Sequence, residues 1–508
     1  MALRRLLQNA LLLFFSVSLP VLAAEAVTRW VDGLPILTDW LPNTVERDVT
    51  TAQLDAISRA QGVSRDWFFI EPPPLPNRRP PPDEWVRLVR EQGNRPVWEP
   101  GVLRPSELFK AWNSEFAKDP CGNPLLRQAP GRLFTYRSLD GGTMPRLRFL
   151  PNTTTPHGLV TNELGWRGPP VQVQRTPRTV RIVFVGASTT VNAHDFPFSY
   201  PELVGHWLNM WATSRGLDVR FEALNAGRES ANSTDLEAVV RLEALPLRPE
   251  LVVYYEGGNQ FRLSTLVRTM PKDGPQVPQL AGQESGLALW LRQASNRSAL
   301  ARRLQSALGM VSNPGKGDEW AKPAYDLVWP AGLDERDPDL SRQDLPIFLP
   351  TILGDLDKMR ASLASIGAEL ALSTFVRLVE DGMVLDPVRN RMLIEDLNIA
   401  YFPFRYADIA RVSVFQNRVF AKYAARHGLP LLDVAARMPM APDLFTDAVH
   451  LTYGGVRLHA WIVVQELIPL IEKRLASGAW PKPVVPAEPP PGLLFEPEVV
   501  TFDCRIAG

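Results

Sequence analysis

The stretch Thr179-Val180-Arg181-Ile182-Val183-Phe184-Val185-Gly186-Ala187-Ser188-Thr189-Thr190 is the clearest architectural signal in the chain. Val180–Val185 is mostly apolar and β-branched, the composition of a parallel strand buried on both faces. Working outward, a helix is expected over Tyr200–Arg215, a strand over Val219–Leu224, a helix around Thr234–Leu245 and a strand over Leu251–Tyr255. Further strands are expected near Ala368–Phe375 and Leu429–Asp433, with long helices over Val412–Arg426 and Gly454–Leu475. This alternation predicts an α/β domain of three layers, α/β/α, around a parallel sheet. Between Phe261 and Leu345 the alternation lapses around one helical piece, Leu287–Leu308. That stretch, about 261–345, reads as an insertion: a lid over the site or an ordinary surface elaboration.

In a parallel sheet, ligands bind at the carboxyl ends of the strands. The first strand runs into Gly186-Ala187-Ser188, a small-residue turn that would expose the Ser188 hydroxyl. A serine becomes a nucleophile only when a base takes its proton, so it needs a histidine partner. The second strand is followed by Asn225-Ala226-Gly227-Arg228, where a glycine lets its backbone N–H approach a ligand as an oxyanion donor must. After the third strand comes Glu256-Gly257-Gly258-Asn259-Gln260, and the Asn259 amide can supply a further fixed donor. Directly before the last long helix stands Asp447-Ala448-Val449-His450, close enough for the carboxylate to reach the imidazole and fix its tautomer. Taken singly, each block is an ordinary turn, cap or loop.

In this order and spacing the four blocks resemble those of the SGNH/GDSL hydrolase family. The resemblance implies a flavodoxin-like parallel sheet, with Ser188 as nucleophile, His450 as base, Asp447 as the acid of the triad, and Gly227 and Asn259 in the oxyanion hole. Asn162-Glu163-Leu164-Gly165-Trp166-Arg167-Gly168 is similar to a lead-in found before the nucleophile in many bacterial members. The likeness covers roughly residues 160–475 and is poor over the insertion. One departure stands at the namesake Gly-Asp-Ser, which here reads Gly186-Ala187-Ser188. That weakens any guess about substrate.

The remaining histidines are better read as structural. His194 and His206 suit packing or surface roles, His427 a helix C-terminus before Gly428, where the dipole favours it, and His459 the final helix. His157 has no nameable partner. No His/Cys/Asp/Glu cluster has metal-ligand spacing, and no metal or cofactor is expected.

The chain has 508 residues, with 55 basic and 55 acidic. No basic stripe points to nucleic acid and no acidic tail to a solvating arm. Arg4 and Arg5 precede the apolar run Ala10–Leu22, with small residues at Ala23 and Ala24. The run is shorter than the roughly 20 residues that span a bilayer, so a cleaved secretory signal over residues 1–24 is expected, an uncleaved anchor being the alternative. Both place the rest outside the cytoplasm, periplasmic or extracellular. Trp461–Ile471 is too short and too polar to span a membrane. Cys121 and Cys504 suggest a disulfide in an oxidising compartment, or else two free thiols.

Residues 25–178 read as an N-terminal accessory region. Short amphipathic helices are expected at Thr51–Gln61 and Asp83–Gln92, where Trp85, Leu88 and Val89 share a face, and another over Glu107–Ala117 after Ser106. Residues 132–178 suit short strands and turns. The domain with the four blocks spans 179–475, and 476–508 form a Pro-rich extended tail. The expected activity is an exported serine ester hydrolase acting through an acyl-enzyme. Its partners would be acylated carbohydrates or lipid esters, the classes that the resemblance implies. An O-acyltransferase acting on a glycan, or a non-catalytic carbohydrate-binding protein of the same fold, are the alternatives.

Overall fold

The structure, a computed structural model, describes residues 2–31, 45–75, 159–192, 197–272, 298–307, 319–380 and 390–486 except 321, a few single residues between them, and the backbone of 131–138 and 495–502. The helices expected at Asp83–Gln92 and Glu107–Ala117, most of the one at Leu287–Leu308, and Cys121, Cys504, His157 and His194 lie outside the described residues.

In chain order the elements are α1 (Ala2–Val31), α2 (Val45–Asp48), α3 (Thr51–Ala56), β1 (Gly131–Ser138), β2 (Thr179–Gly186), α4 (Ser188–Val191) and α5 (Tyr200–Ser214). They continue with β3 (Arg220–Asn225), α6 (Ser233–Val239), β4 (Leu251–Tyr255), α7 (Ala299–Ala307), α8 (Leu349–Ala364) and β5 (Glu369–Ser373). The last are α9 (Arg391–Glu395), α10 (Tyr406–His427), β6 (Leu431–Leu432), α11 (Val434–Arg437), α12 (Tyr453–Ala476) and β7 (Phe495–Phe502).

Five strands form one parallel sheet in the order β3-β2-β4-β5-β6. Every residue of β2 and of β4 is buried, which requires cover on both faces. The helices supply it in two packed groups, α5 with α12 and α6 with α8. The fold is therefore α/β, a doubly wound parallel sheet. β3 lies on one side of β2 and β4 on the other, so the chain changes direction at the carboxyl end of β2. An open α/β sheet leaves its ligand crevice at that place.

Several elements differ in extent from expectation. The helix expected at Thr51–Gln61 stops at Ala56, where Ile57 turns to extended backbone. α10 begins at Tyr406 rather than Val412, with Asp408 favourably placed in its first turn. The helix after β3 ends at Val239 and continues as one wide turn, Val240–Ala244. The last strand shrinks to Leu431–Leu432, since it pairs only with the end of β5. The Pro-rich tail is not wholly extended coil: β7 pairs antiparallel with β1, Gly131 opposite Phe502. The apolar run Ala10–Leu22 lies within a longer helix, α1, which reaches Val31.

The packed core crosses position 178. Trp166 is fully buried. Phe68 meets Trp461 and Trp207 edge-on and stacked, at 5.8 and 6.1 Å between ring centroids. The indoles of Trp207 and Trp211 donate to the Ile70 and Gln61 carbonyls. Ala60 N–H donates to Gln465 Oε1 on α12 at 2.7 Å. Residues 45–75 thus seat on the α5–α12 layer.

Candidate active site

β2 ends at Gly186, and Ser188 opens α4 one residue later. Gly186 is the position where no side chain fits: a Cβ there would overlap Thr190 Oγ1 and the Tyr255 carbonyl oxygen. The Tyr255 carbonyl is backbone and cannot step aside. Gly186→Ala is therefore expected to cost about 1–3 kcal/mol by overpacking and to displace Ser188, read as a lower denaturation midpoint together with lost activity. A variant of unchanged midpoint would refute the packing argument.

The Ser188 hydroxyl oxygen lies 2.7 Å from His450 Nε2, and His450 Nδ1 lies 2.6 Å from Asp447 Oδ2. Residues 262 positions apart are joined this way because the loop before α12 returns to the end of β2. That loop is built around the Asp447 carboxylate, whose Oδ1 accepts the N–H groups of Val449 and His450 at 2.9 and 2.8 Å. Thr446 N–H donates to the His450 carbonyl at 2.8 Å and closes the turn. The His450 and Asp447 side chains keep 16% and 26% exposure, so the relay opens toward solvent rather than into the core.

Burial works against a charged His450, but the Asp447 carboxylate, its hydrogen bond and the charges of Glu229 and Asp396 outweigh it and push the imidazole up to about 9. Asp447 is itself desolvated, yet His450 and the two backbone N–H donors hold its carboxyl well below the usual range. In the resting state near neutral pH, Nδ1–H then donates to Asp447 and Nε2–H to Ser188. Only the neutral form can accept the serine proton. If His450 is the base, kcat/KM should climb with pH through about 9, above the ordinary histidine range near 6.5. Asp447→Asn should move that limb to lower pH. A pH–rate profile on the free enzyme checks both, and a limb at ordinary histidine values would contradict the electrostatic reading.

Two loops frame the nucleophile. Asn225, at the end of β3, donates from Nδ2 to the Thr190 carbonyl at 2.9 Å and so ties β3 to α4. Gly227 departs from expectation. Its N–H donates to Asn225 Oδ1 at 3.0 Å, so a local turn of the asparagine side chain takes the donor assigned to an oxyanion. A Cβ on Gly227 would stand 2.5 Å from Val191 N, so the loop needs glycine for close approach to α4. Asn259 is held by its own N–H, which donates to Glu256 Oε1 at 2.7 Å. One N–H of its amide donates to the Ala231 carbonyl at 2.8 Å. As the first residue of a helix, Ser188 has a backbone N–H with no intrahelical acceptor.

The lead-in motif has a clear structural task. Arg167 Nη1 donates to the carbonyls of Val191 and Asn192, and Nε pairs with Glu202 at 2.9 Å. It thereby holds the last turn of α4. Trp166 Nε1 donates to Glu243 Oε2 at 2.7 Å, and the same oxygen pairs with Arg228 beside Gly227.

Several residues near the site were not singled out from the sequence. Asp396 accepts the Ala448 N–H, and Glu229 follows Arg228 in the second block. Arg377 lies just past β5. Its guanidinium carbon stands 3.7 Å from the Phe261 ring centroid, and it donates to Tyr401 Oη and to the Gly257 carbonyl. The signal for Arg377 was available, because it too follows the carboxyl end of a sheet strand. Glu256 is pushed up to about 7 by burial, against the N–H donors of Asn259, Gly258 and Gly257 and the charge of Arg377. His459 is structural as expected. It stacks on Tyr200 at 4.4 Å, and burial lowers it to about 3.

No family model matches the chain, and no curated protein matches it. Among solved structures, an acetyl xylan esterase from Geobacillus stearothermophilus aligns at 13% identity and a TM-score of 0.30, over 58% of this chain and 97% of its own. A GDSL-like lipase from Bacteroides thetaiotaomicron aligns at 13% identity and 0.27, over 59% and 92%. An α/β hydrolase enzyme from the metagenome of Lake Arreo, Spain, aligns at 17% identity and 0.27, over 56% and 94%. The solved structures to which this chain is similar thus include GDSL-like lipases and acetylxylan esterases.

Proposed function

We propose that the protein is a serine ester hydrolase that works through an acyl-enzyme. The observation that carries this reading is the continuous relay of hydrogen bonds Ser188–His450–Asp447, at 2.7 and 2.6 Å, at the switch point of the sheet. A serine, a histidine and a carboxylate so joined make a nucleophile, its base and the group that orients the base.

In this reading Ser188 Oγ attacks the ester carbonyl carbon while neutral His450 takes its proton at Nε2. The oxyanion is held by the Ser188 N–H and by the second N–H of the Asn259 amide. Gly227 serves the site through its small size. The tetrahedral intermediate collapses, its bond to the leaving oxygen breaks, and His450 returns the proton to the departing alcohol. Water, deprotonated by His450, then attacks the acyl-serine and releases the acid. Asp447 fixes the tautomer throughout and stabilises the imidazolium. The motif resemblance supports acyl esters of carbohydrates or of lipids as substrates, met on the far side of the membrane that α1 would engage.

The direct test is labelling of the full chain by a fluorophosphonate probe, beside Ser188→Ala and His450→Ala. Labelling of the wild type alone is expected. A well-folded wild type that takes no label would overturn the reading and favour a binding protein of this fold.

A further inference from the structure

We propose that α1 stays on the chain as a membrane anchor whose outer end is clasped by the folded protein, with a lipid bilayer around its apolar surface. This goes beyond the ester-hydrolase reading and does not depend on it.

An apolar helix at this place is compatible with a cleaved leader, and it is what the helix does at its far end that favours an anchor. Leu11–Val31 is a stretch of 21 residues with mean hydropathy 2.0, and of these only Arg29 is buried. The uncharged part of α1 between Arg5 and Glu25 is 19 residues, which at 1.5 Å per residue extends about 28 Å, close to the hydrocarbon thickness of roughly 30 Å, and leaves Glu25 and Arg29 at its outer edge. Apolar side chains point out all round the helix: Leu12, Leu13, Phe14, Val17 and Leu19 are all more than half exposed. Such a surface calls for an apolar cover, which a bilayer supplies along its whole length. Arg4 and Arg5 stand before the span, as for a cytoplasmic flank, and the exposed Trp30 stands at the other end, where an interfacial aromatic belongs.

The second observation is what the outer end does. Glu25 and Arg29 are the only charged residues in the stretch, and they pair with each other at 2.7 Å. The Glu25 carboxylate also accepts three hydrogen bonds from the start of α7: Ser298 Oγ at 2.7 Å, Ala299 N–H at 2.9 Å and Leu300 N–H at 3.0 Å. It caps the N-terminus of a helix in the insertion, and Arg29 is buried beside it. A peptidase cutting near Ala23 or Ala24 would have to open a helix one turn from this contact. A leader due for removal has no use for a clasp at its end.

The test is the fate of the full chain expressed in bacterial cells. Membranes are washed with alkaline carbonate, and the intact mass of the chain is measured in each fraction. The expected result is an uncleaved chain in the washed membranes, released only by detergent. A mature chain beginning near Glu25 and recovered in the soluble fraction would overturn the proposal. The variant Glu25→Gln with Ser298→Ala weakens the clasp while leaving the span intact. It should stay in the membrane but be cut several-fold faster by added protease between Ala24 and Arg29. An unchanged cutting rate would overturn the clasp. Ser188→Ala should fractionate as the wild type does, so loss of fluorophosphonate labelling and loss of anchoring are read apart.

Discussion

Ser188→Ala and His450→Ala are each expected to lower kcat about a millionfold, and the double variant to fall no further. The reason lies in the relay. The serine proton has one acceptor, His450 Nε2 at 2.7 Å, and without it the hydroxyl keeps its ordinary low reactivity. Removing either partner removes the same step, so the losses cannot add. Asp447→Asn should cost less, about 10⁴-fold, since the imidazole stays in place but its tautomer is no longer fixed. A residual rate of about 10³–10⁴ over water should remain in the serine and histidine variants, from the donors at Ser188 N–H and Asn259. Steady-state kinetics on a chromogenic acyl ester would decide. Losses that multiply would mean that Ser188 and His450 do not act as a unit.

Glu243→Ala is expected to destabilise the fold by about 3–5 kcal/mol, a large part of a typical domain's stability. Trp166, Arg228 and Glu243 are all completely buried, and the Glu243 carboxylate serves both others. Truncating it leaves a guanidinium and an indole N–H in the core without that partner. Glu243→Gln keeps an oxygen for Trp166 but not the charge for Arg228, so an intermediate loss is expected. Chemical denaturation of the three proteins measures this. Equal stability of the alanine variant would show that the pair is dispensable. Because Arg228 adjoins Gly227, and Trp166 adjoins Arg167, the same substitution should also loosen the two loops that frame Ser188.

The sheet was legible because a strand covered on both faces has no polar side to show. Val180–Val185, broken only by Arg181, and Leu251–Tyr255 are therefore apolar runs, and the residues after them stand at strand ends. Asp447 and His450 were legible for a local reason, as they share one turn. The groups that tune them were not. Asp396 and Glu229 come from separate stretches, and only the folding of the chain brings their charges to His450. Which atom the Gly227 N–H meets depends on the rotamer of Asn225, which spacing does not encode. The start of α10 was misplaced because Arg405 and Tyr406, where it begins, are held by Tyr325 and Glu319, 80 and 87 residues back in the chain.

The seating of residues 45–75 on α12 has a consequence for how the chain can be made. Ala60 and Gln465 lie 405 residues apart, and the clustered rings of Phe68, Trp207 and Trp461 span nearly the same interval. Synthesis runs from the N-terminus, so the first core segment appears long before the helix that covers it. Until α12 arrives, Phe68 and Trp207 have no lid of protein and are exposed to association with other chains. Closing a loop of this length comes late and slowly, because its entropy is lost before the contacts form. The chain therefore finishes as a clasp closing, its beginning and end locking together in one late step, and no partial product from either end can complete that layer.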